Sequence, residues 1–479
     1  MKRKLYTLFV VLAISMFTFN SCDKYLTIQP SNVIVPRSLQ DVKMMVGKYL
    51  RSMQNGDIQS FCLYRTGGYA NSQDLFQFED DFNYDGMFFL FYDLYEQKGK
   101  RWLNSDWEQT IWNALYQNIG DFNLYIYELE RIKDNQDEAK KIEAEVRMCR
   151  AISYFRLIQV FCPYRANEFA ADPERYGLPV LEKEEDLQDK CFPERRSQQS
   201  TYQFVLDELA KIEALDVEAG DWNLFYNRRA LYGLLAEIHF WKAESPAKAA
   251  ADWEKVRTYA TKAIDGNRMA QTPQEIEAMF NPLGVSTSPA LSVNVVPDYG
   301  GYYSDVFADD WSPVTVEDAV IGLYRDDDYR KALWIDPATK YLIKYEQADE
   351  ADFNISVLWR VEEMNLMIAE SWVHAGDEKQ ARDYLDKVRA VRMPVPPAYT
   401  DVMQEIKDER RREFLGESYC RWKDMKRYGV SLVRYTRKDN QKLELKPNDY
   451  RYTFIIPAEM ELQQNPNNFQ NPGWNNQEK

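Results

Sequence analysis

The sequence predicts an all-α protein in which helical hairpins form a scaffold and long irregular segments are inserted between the hairpins. Apolar residues recur at intervals of three and four positions through much of the 479-residue chain, as on the buried face of an amphipathic helix. Short polar or glycine-containing turns join these periodic stretches in pairs. Three long stretches lack the period and are rich in Gly, Asp, Asn, Pro or aromatic residues.

The first hairpin is predicted over residues 107–161. Its first helix carries a stripe of apolar side chains at Ile111, Leu115, Ile119, Phe122, Ile126 and Leu129. A second helix follows over residues 139–161, and Pro163 ends it because proline cannot continue a helix. The polar string KDNQD predicts a short turn between the two helices, which are therefore expected to run antiparallel.

The same pattern predicts six further helices. They cover residues 201–215, 228–243, 250–264, 356–374, 378–392 and 402–415. The turn Ala-Gly-Asp at residues 375–377 joins two of them into another hairpin.

This later hairpin fits a tetratricopeptide-like repeat. Ala369 and Ala381 are twelve positions apart, the spacing of the small residues where the two helices of such a repeat touch. Trp372 and Leu385 match its large apolar positions. A tight helical hairpin of another kind would fit as well at this one place. The recurrence of hairpins along the chain favours a tetratricopeptide-like scaffold.

The three aperiodic stretches cover residues 61–102, 281–339 and 434–479. Irregular loops of this length are uncommon unless they are functional, and recognition by a helical scaffold usually resides in its loops. The chain thus divides into a helical-repeat half over about 22–270 and a loop-rich half over about 271–479.

Residues 1–21 are predicted to be a lipoprotein signal peptide. Basic residues at 2–4 precede an apolar run over 5–19, and the small Ser21 precedes Cys22. That run is shorter than the roughly 20 residues that span a bilayer. Cys22 stands where a bacterial lipoprotein is cleaved and acylated, so we expect a lipid anchor there. Ordinary secretion, with Cys22 incidental, is the alternative.

The net charge and the motif content limit the classes of function that we expect for this protein. A net charge of −16 argues against nucleic acid as a partner, because the phosphate backbone would be repelled. The sequence contains no G-x-S-x-G, H-E-x-x-H, G-x-G-x-x-G or P-loop motif. The two histidines, His239 and His374, fall in helical patterns and are expected to pack or to end helices. Two carboxylates suffice for a glycoside hydrolase, which the 76 acidic residues neither support nor exclude.

The cysteines that follow Cys22 do not resemble a disulfide framework. They are Cys62, Cys149, Cys162, Cys191 and Cys420. Their odd number and the length of the chain indicate mostly small buried residues, with one or two bridges at most. The sequence leaves open which of them pair.

Aromatic residues make up 14% of the chain, more than helical packing requires. Flat apolar rings stack on the CH faces of sugars, and Asn and Asp side chains bond sugar hydroxyls. The candidates for ligand binding in or beside the first two insertions are Phe82, Tyr84, Trp102, Asn104, Tyr302, Tyr303 and Trp311. The alternative for each residue is packing that anchors its own loop.

One short string resembles a metal site. Asp81, Asn83 and Asp85, followed by Gly86, match the first half of a calcium-binding loop. The twelfth position should be a bidentate Glu and is Tyr92. An exposed turn with local side-chain hydrogen bonds is the favoured interpretation, a structural calcium ion the alternative, and no cofactor is expected.

Several segments resemble a known family. Residues 409–417, ERRREFLGE, lead to residues 421–429, RWKDMKRYG. They resemble the E-R-R-x-E…E-G…R-W-x-D-L-x-R-x-G signature of the SusD/RagB family of Bacteroidota outer-membrane lipoproteins. The closing residues 454–474 and the hairpin over residues 367–390 resemble further family segments. Ser418 departs from the pattern, which usually has Gly there.

The resemblance implies a single tetratricopeptide-like domain over residues 22–479, anchored by a lipid on Cys22 at the extracellular side of the outer membrane. Its partner would be a SusC-like TonB-dependent transporter, to which it would deliver oligosaccharide without catalysis. Peptide- or glycopeptide-binding members of the family are an alternative, and a surface glycoside hydrolase is a weaker one. Trp422 would be buried in a helix, and Gly429 would form its C-cap.

Overall fold

A computed structural model describes most of the chain outside residues 1–35. The described ranges are 36–54, 79–83, 105–132, 135–182, 193–280, 292–298, 315–345, 354–417, 420–435 and 442–474.

The described ranges are mostly helical, which confirms the predicted class. Their α-helices are α1 Leu39–Gln54, α2 Ser105–Arg131, α3 Gln136–Phe161, α4 Gln198–Leu215, α5 Arg228–Lys242, α6 Asp252–Ile264, α7 Pro273–Ala278, α8 Asp318–Ile321, α9 Tyr329–Trp334, α10 Val361–His374, α11 Glu378–Ala390, α12 Val402–Glu413 and α13 Cys420–Tyr428. The strands are β1 Phe82–Asn83, β2 Ser292–Asp298, β3 Thr315–Val316, β4 Asn354–Arg360, β5 Leu432–Tyr435 and β6 Lys442–Leu445. They form three antiparallel two-stranded ribbons, β1–β3, β2–β4 and β5–β6.

The first predicted hairpin is confirmed as α2 and α3, which pack against each other. The Asn135 side chain accepts a hydrogen bond from the backbone N–H of Glu138 and caps the start of α3. Apolar residues of the predicted stripe, including Ile119 and Phe122, lie in the main core. Helix α4 packs on the other side of α3, so α3 lies between two neighbours.

The later repeats continue this stacking. Helix α6 packs against α5 and α10, and α10 packs against α11 and α12. Ala369 and Ala381 are fully buried in one apolar cluster with Leu385, as the repeat pattern predicts. Their small side chains let the two helices approach closely.

One predicted helix starts too early. Residues 356–359 belong to β4, and α10 begins only at Val361. The run Val357-Leu358-Trp359 is short and apolar, so periodicity alone does not separate a strand from a helix here. Pairing with β2 decides the outcome, because Val357 lies opposite Val295 in the ribbon.

All three predicted irregular stretches contain regular elements. The first insertion includes β1, the second includes β2, β3, α8 and α9, and the C-terminal stretch includes most of the β5–β6 ribbon. These elements are only two to seven residues long, below the length at which a sequence period becomes visible.

Residues of the C-terminal half donate hydrogen bonds to the last backbone carbonyls of α3. The last carbonyls of a helix have no partner within it. Here Lys426 Nζ donates to the carbonyl of Gln159 at 2.7 Å, and the Phe454 N–H donates to that of Val160 at 3.1 Å. Asn471 Nδ2 donates to that of Phe161 at 2.9 Å. The closing family-like segment therefore packs on the first hairpin.

Candidate functional site

The first two insertions are tied together by the β1–β3 ribbon. Phe82 pairs with Val316 and Asn83 with Thr315, in antiparallel register. The Val316 N–H also donates to the carbonyl of Lys340 at 2.9 Å. Antiparallel pairing places the chain that leaves β1 beside the chain that enters β3. The described ends of the two aromatic-rich insertions therefore lie side by side.

Phe82 is a core residue and not a ligand contact. Its side chain has no exposed surface, and it packs in an apolar cluster with Val316, Trp334 and Leu415. Successive side chains of a strand point to opposite faces, so the inward position of Phe82 follows from the pairing of β1. Its selection as a ligand-binding candidate was wrong, and loop-anchoring packing is the correct interpretation.

Two arginines anchor the residues that precede β1. Arg421 donates to both carboxylate oxygens of Asp80, at 2.6 and 2.9 Å. Arg411 donates to Asp81 Oδ1 at 2.6 Å and to the Asp80 carbonyl at 2.8 Å. Burial raises the pKa of Asp80, but Arg421 outweighs this effect and the pKa lies below its ordinary value. Two arginines of the C-terminal signature thus hold the start of the ribbon.

The structure describes only the start of the calcium-like string. An exposed turn is wrong at Asp81, because this residue is only 1% exposed and is followed by a strand. Arg411 binds Asp81 Oδ1 at 2.6 Å. The Asn83 side chain and Asp85 lie outside the described residues, so the calcium alternative stays a prediction.

The signature helix α12 carries a buried charge cluster beside the ribbon. The Glu413 carboxylate forms ion pairs with Arg330 at 2.6 Å, with Arg360 at 2.6 Å and with Arg392 at 2.9 Å. All four side chains are fully buried. Burial alone raises the pKa of Glu413, but the three arginines hold that pKa well below its ordinary value. One carboxylate therefore joins α9, β4, α12 and the chain after α11.

Further buried carboxylates neutralise the same arginines: Glu362, Glu409 and Glu417. We call these three, with Glu413, Arg330, Arg360 and Arg392, the Glu413 cluster. Glu409 and Glu413 are spaced four positions apart within α12, which brings them to one face of the helix, and Glu417 follows shortly after the helix ends.

The second signature motif has the expected structural role. Trp422 is 1% exposed within α13, and Arg410 binds Asp424 at 2.8 Å. Gly429 follows the helix with a positive φ of 64°, and a Cβ there would meet the Asn448 side chain at 2.4 Å. Only glycine fits this C-cap without strain.

The described residues offer one grouping of potential metal ligands, Glu244, Glu370 and His374. Both oxygens of Glu370 are already bound, by Arg427 at 2.6 Å and by Tyr428 OH at 2.7 Å. We therefore assign no metal there. His374 is the last residue of α10, and His239 is buried against Asp252 at 2.8 Å, so both histidines have the predicted structural roles.

The other sequence-predicted site residues fall outside the described ranges. They are the ligand-binding candidates Tyr84, Trp102, Asn104, Tyr302, Tyr303 and Trp311 and the lipidation candidate Cys22. Cys62 and Cys191 also lie outside, while Cys149, Cys162 and Cys420 are buried as expected.

Comparison with protein-family models places both halves of the chain in one family. Residues 28–239 match a model described as "Starch-binding associating with outer membrane", and residues 255–474 match the SusD family model that includes RagB. The chain belongs to the SusD/RagB family. No curated protein matches the sequence at a significant level.

Solved structures of SusD relatives share the fold. A SusD superfamily protein from Bacteroides fragilis aligns with a TM-score of 0.70 at 17% identity, over 91% of this chain and 99% of its own. A SusD-like carbohydrate binding protein from Bacteroides vulgatus gives 0.67 at 18%, over 90% and 97%. Surface glycan-binding protein A from Bacteroides thetaiotaomicron, solved with laminarihexaose, gives 0.64 at 13%, over 91% and 100%.

Among the helices in the described ranges of this SusD-family chain, none is both long and apolar enough to cross a bilayer.

Proposed function

We propose that the protein is a cell-surface glycan-binding lipoprotein that captures oligosaccharide and passes it to a SusC-like TonB-dependent transporter without hydrolysing it. The observation that carries the proposal is the β1–β3 ribbon, which joins the two insertions that hold the remaining aromatic candidates. Family membership supports the same function, because the family model that matches the first half is described as starch-binding and outer-membrane associated.

Chain connectivity limits how far the candidates lie from the ribbon. Tyr84 directly follows Asn83, and Trp311 precedes Thr315 by four residues. A fully extended chain covers at most about 3.6 Å per residue, so a link of four residues spans at most about 15 Å. These short links to the ribbon support one site built from both insertions.

The chemistry of these side chains suits a neutral sugar. Aromatic faces supply apolar contact area, and Asn104, two residues after Trp102, supplies an amide that both donates and accepts hydrogen bonds. Two of the structural relatives are described as carbohydrate-binding or glycan-bound, which supports this ligand class at the level of the fold.

We expect the mature protein to bind one glycan class with a dissociation constant of about 10 µM to 1 mM, which corresponds to about −4 to −7 kcal/mol. Trp102→Ala and Trp311→Ala should each weaken binding at least tenfold, since a well-placed stacked ring contributes roughly 1.5–3 kcal/mol. Calorimetry with a panel of starch, laminarin, xylan, mannan, pectin and host glycans measures this change.

Trp253→Ala is the matched control, because Trp253 is a partly buried tryptophan of the helical scaffold that stacks on His374. It should leave glycan affinity unchanged. Wild-type affinity in both loop variants would place the site elsewhere. Binding of peptides but no glycan would select the peptide-binding alternative, and release of reducing sugar would overturn the non-catalytic assignment.

A further inference from the structure

A separate cleft of about 820 Å³ lies on the helical scaffold, between α2, α3 and α4. This volume is within the range of about 300–1,000 Å³ that is usual for small-ligand sites. Helix α3 contributes the floor through Arg147 and Arg150, and α2 and α4 contribute the walls. We call this feature the helical cleft.

The charges on its floor are already neutralised. Arg147 binds the buried Glu208 at 2.9 Å and Glu143 at 2.7 Å. Arg150 also binds Glu208, and it donates to the side-chain oxygen of Asn123. Burial raises the pKa of Glu208, but Arg150 and Arg147 outweigh this effect and lower it to about 2. The floor therefore presents fixed hydrogen-bonding groups and no unbalanced charge.

One donor of the floor has no acceptor within the described part of the chain. Arg150 is 2% exposed, and its buried Nε–H makes no hydrogen bond there. A buried donor left unsatisfied costs about 1–3 kcal/mol, which the other contacts of the floor must offset.

The walls combine rings with neutral polar groups. Tyr127 on α2 and Phe204 on α4 are partly exposed. Gln199, Ser200 and Gln203 are exposed on the first turns of α4. Phe204 is held in place by an edge contact with the ring of Tyr154, 5.1 Å between centroids. A fixed ring beside amides and hydroxyls is an arrangement suited to the apolar face and the hydroxyl edge of a sugar.

We propose that the helical cleft is a second binding site, which takes a short neutral oligosaccharide. Its lining has four basic side chains, Arg147, Arg150, Arg196 and Lys211, and four acidic ones, Glu130, Glu182, Asp207 and Glu208. This balance disfavours a charged ligand, and the rings and amides favour a polyhydroxylated one. The site would increase avidity for a long glycan that also reaches the loop site.

Soaking crystals of the whole mature protein with single sugars tests this proposal directly. Glucose, galactose, mannose, N-acetylglucosamine and glucuronate are each applied at about 100 mM, which saturates a site with a millimolar dissociation constant. The expected result is density for a neutral sugar against Phe204, with its hydroxyls within hydrogen-bond distance of the Ser200 or Gln203 side chain. Ser200→Trp should abolish this density by filling the cleft from an exposed position.

Ser431→Trp is the matched control, since Ser431 is exposed just before β5 and does not line the cleft. It should retain the density. Absence of sugar from the cleft in every soak, or density for glucuronate alone, would overturn the proposal. The result of the soaks does not depend on the loop site. If the loop-site proposal is wrong, Trp102→Ala and Trp311→Ala will instead bind glycan with unchanged affinity.

Discussion

Replacing Glu413 with alanine is expected to lower the free energy of unfolding by about 3–5 kcal/mol, because removing one partner of a buried ion pair leaves uncompensated buried charge. Glu413 is fully buried and binds Arg330, Arg360 and Arg392. Denaturant titration of the purified mature protein measures the loss as a lower midpoint with an unchanged slope.

Two further variants separate the causes. Glu413→Gln keeps the volume and removes the charge, so we expect a loss of similar size if electrostatics dominates. Asp383→Ala removes an exposed partner of Lys379 on α11 and should cost less than about 1 kcal/mol. A Glu413→Gln protein as stable as the wild type would show that the Glu413 cluster does not hold the signature region together.

Replacing Cys22 with alanine is expected to release the protein from the membrane fraction completely. The basic, apolar and small residues of the signal peptide lead directly to Cys22. Acyl chains on this cysteine would provide the attachment, with each buried CH₂ contributing about 0.8 kcal/mol. Fractionation of cells that express the variant, together with labelling by palmitate, measures both attachment and acylation.

Ser21→Ala provides the control, because alanine keeps the small residue before the cleavage point and leaves Cys22 in place. This variant should remain in the outer membrane and incorporate palmitate. A Cys22→Ala protein that still sediments with the outer membrane would contradict the lipid anchor and favour ordinary secretion followed by binding to a membrane partner.

The local sequence was sufficient to predict the long helices but insufficient to predict the short strands. Helices such as α2 and α3 have several turns of regular apolar spacing, so their period is visible. Strand β4 was predicted as helix because its partner β2 is distant along the chain. Phe82 was predicted as a loop aromatic for the same reason, since Val316, which buries it, belongs to the second insertion.

The ion pairs that anchor the candidate site could not be predicted from the sequence either. Asp81 and Arg411 are 330 residues apart, and Asp80 and Arg421 are 341 apart. No local pattern connects such pairs. The four-residue spacing of Glu409 and Glu413 was visible in the signature, and it could have predicted a shared helix face for these two carboxylates. The aromatic content of the insertions predicted a binding role, but it could not separate a core ring such as Phe82 from an exposed one.

The central claim is that two insertions, joined by the β1–β3 ribbon, form one glycan site. Hydrogen–deuterium exchange of the mature protein, with and without the glycan selected by calorimetry, tests it most directly. We predict slower exchange on glycan binding in peptides from both residues 84–104 and residues 299–314. Protection of residues 199–211 would report separately on the helical cleft. Protection in only one of the two insertions, or in neither, would contradict a site shared between them.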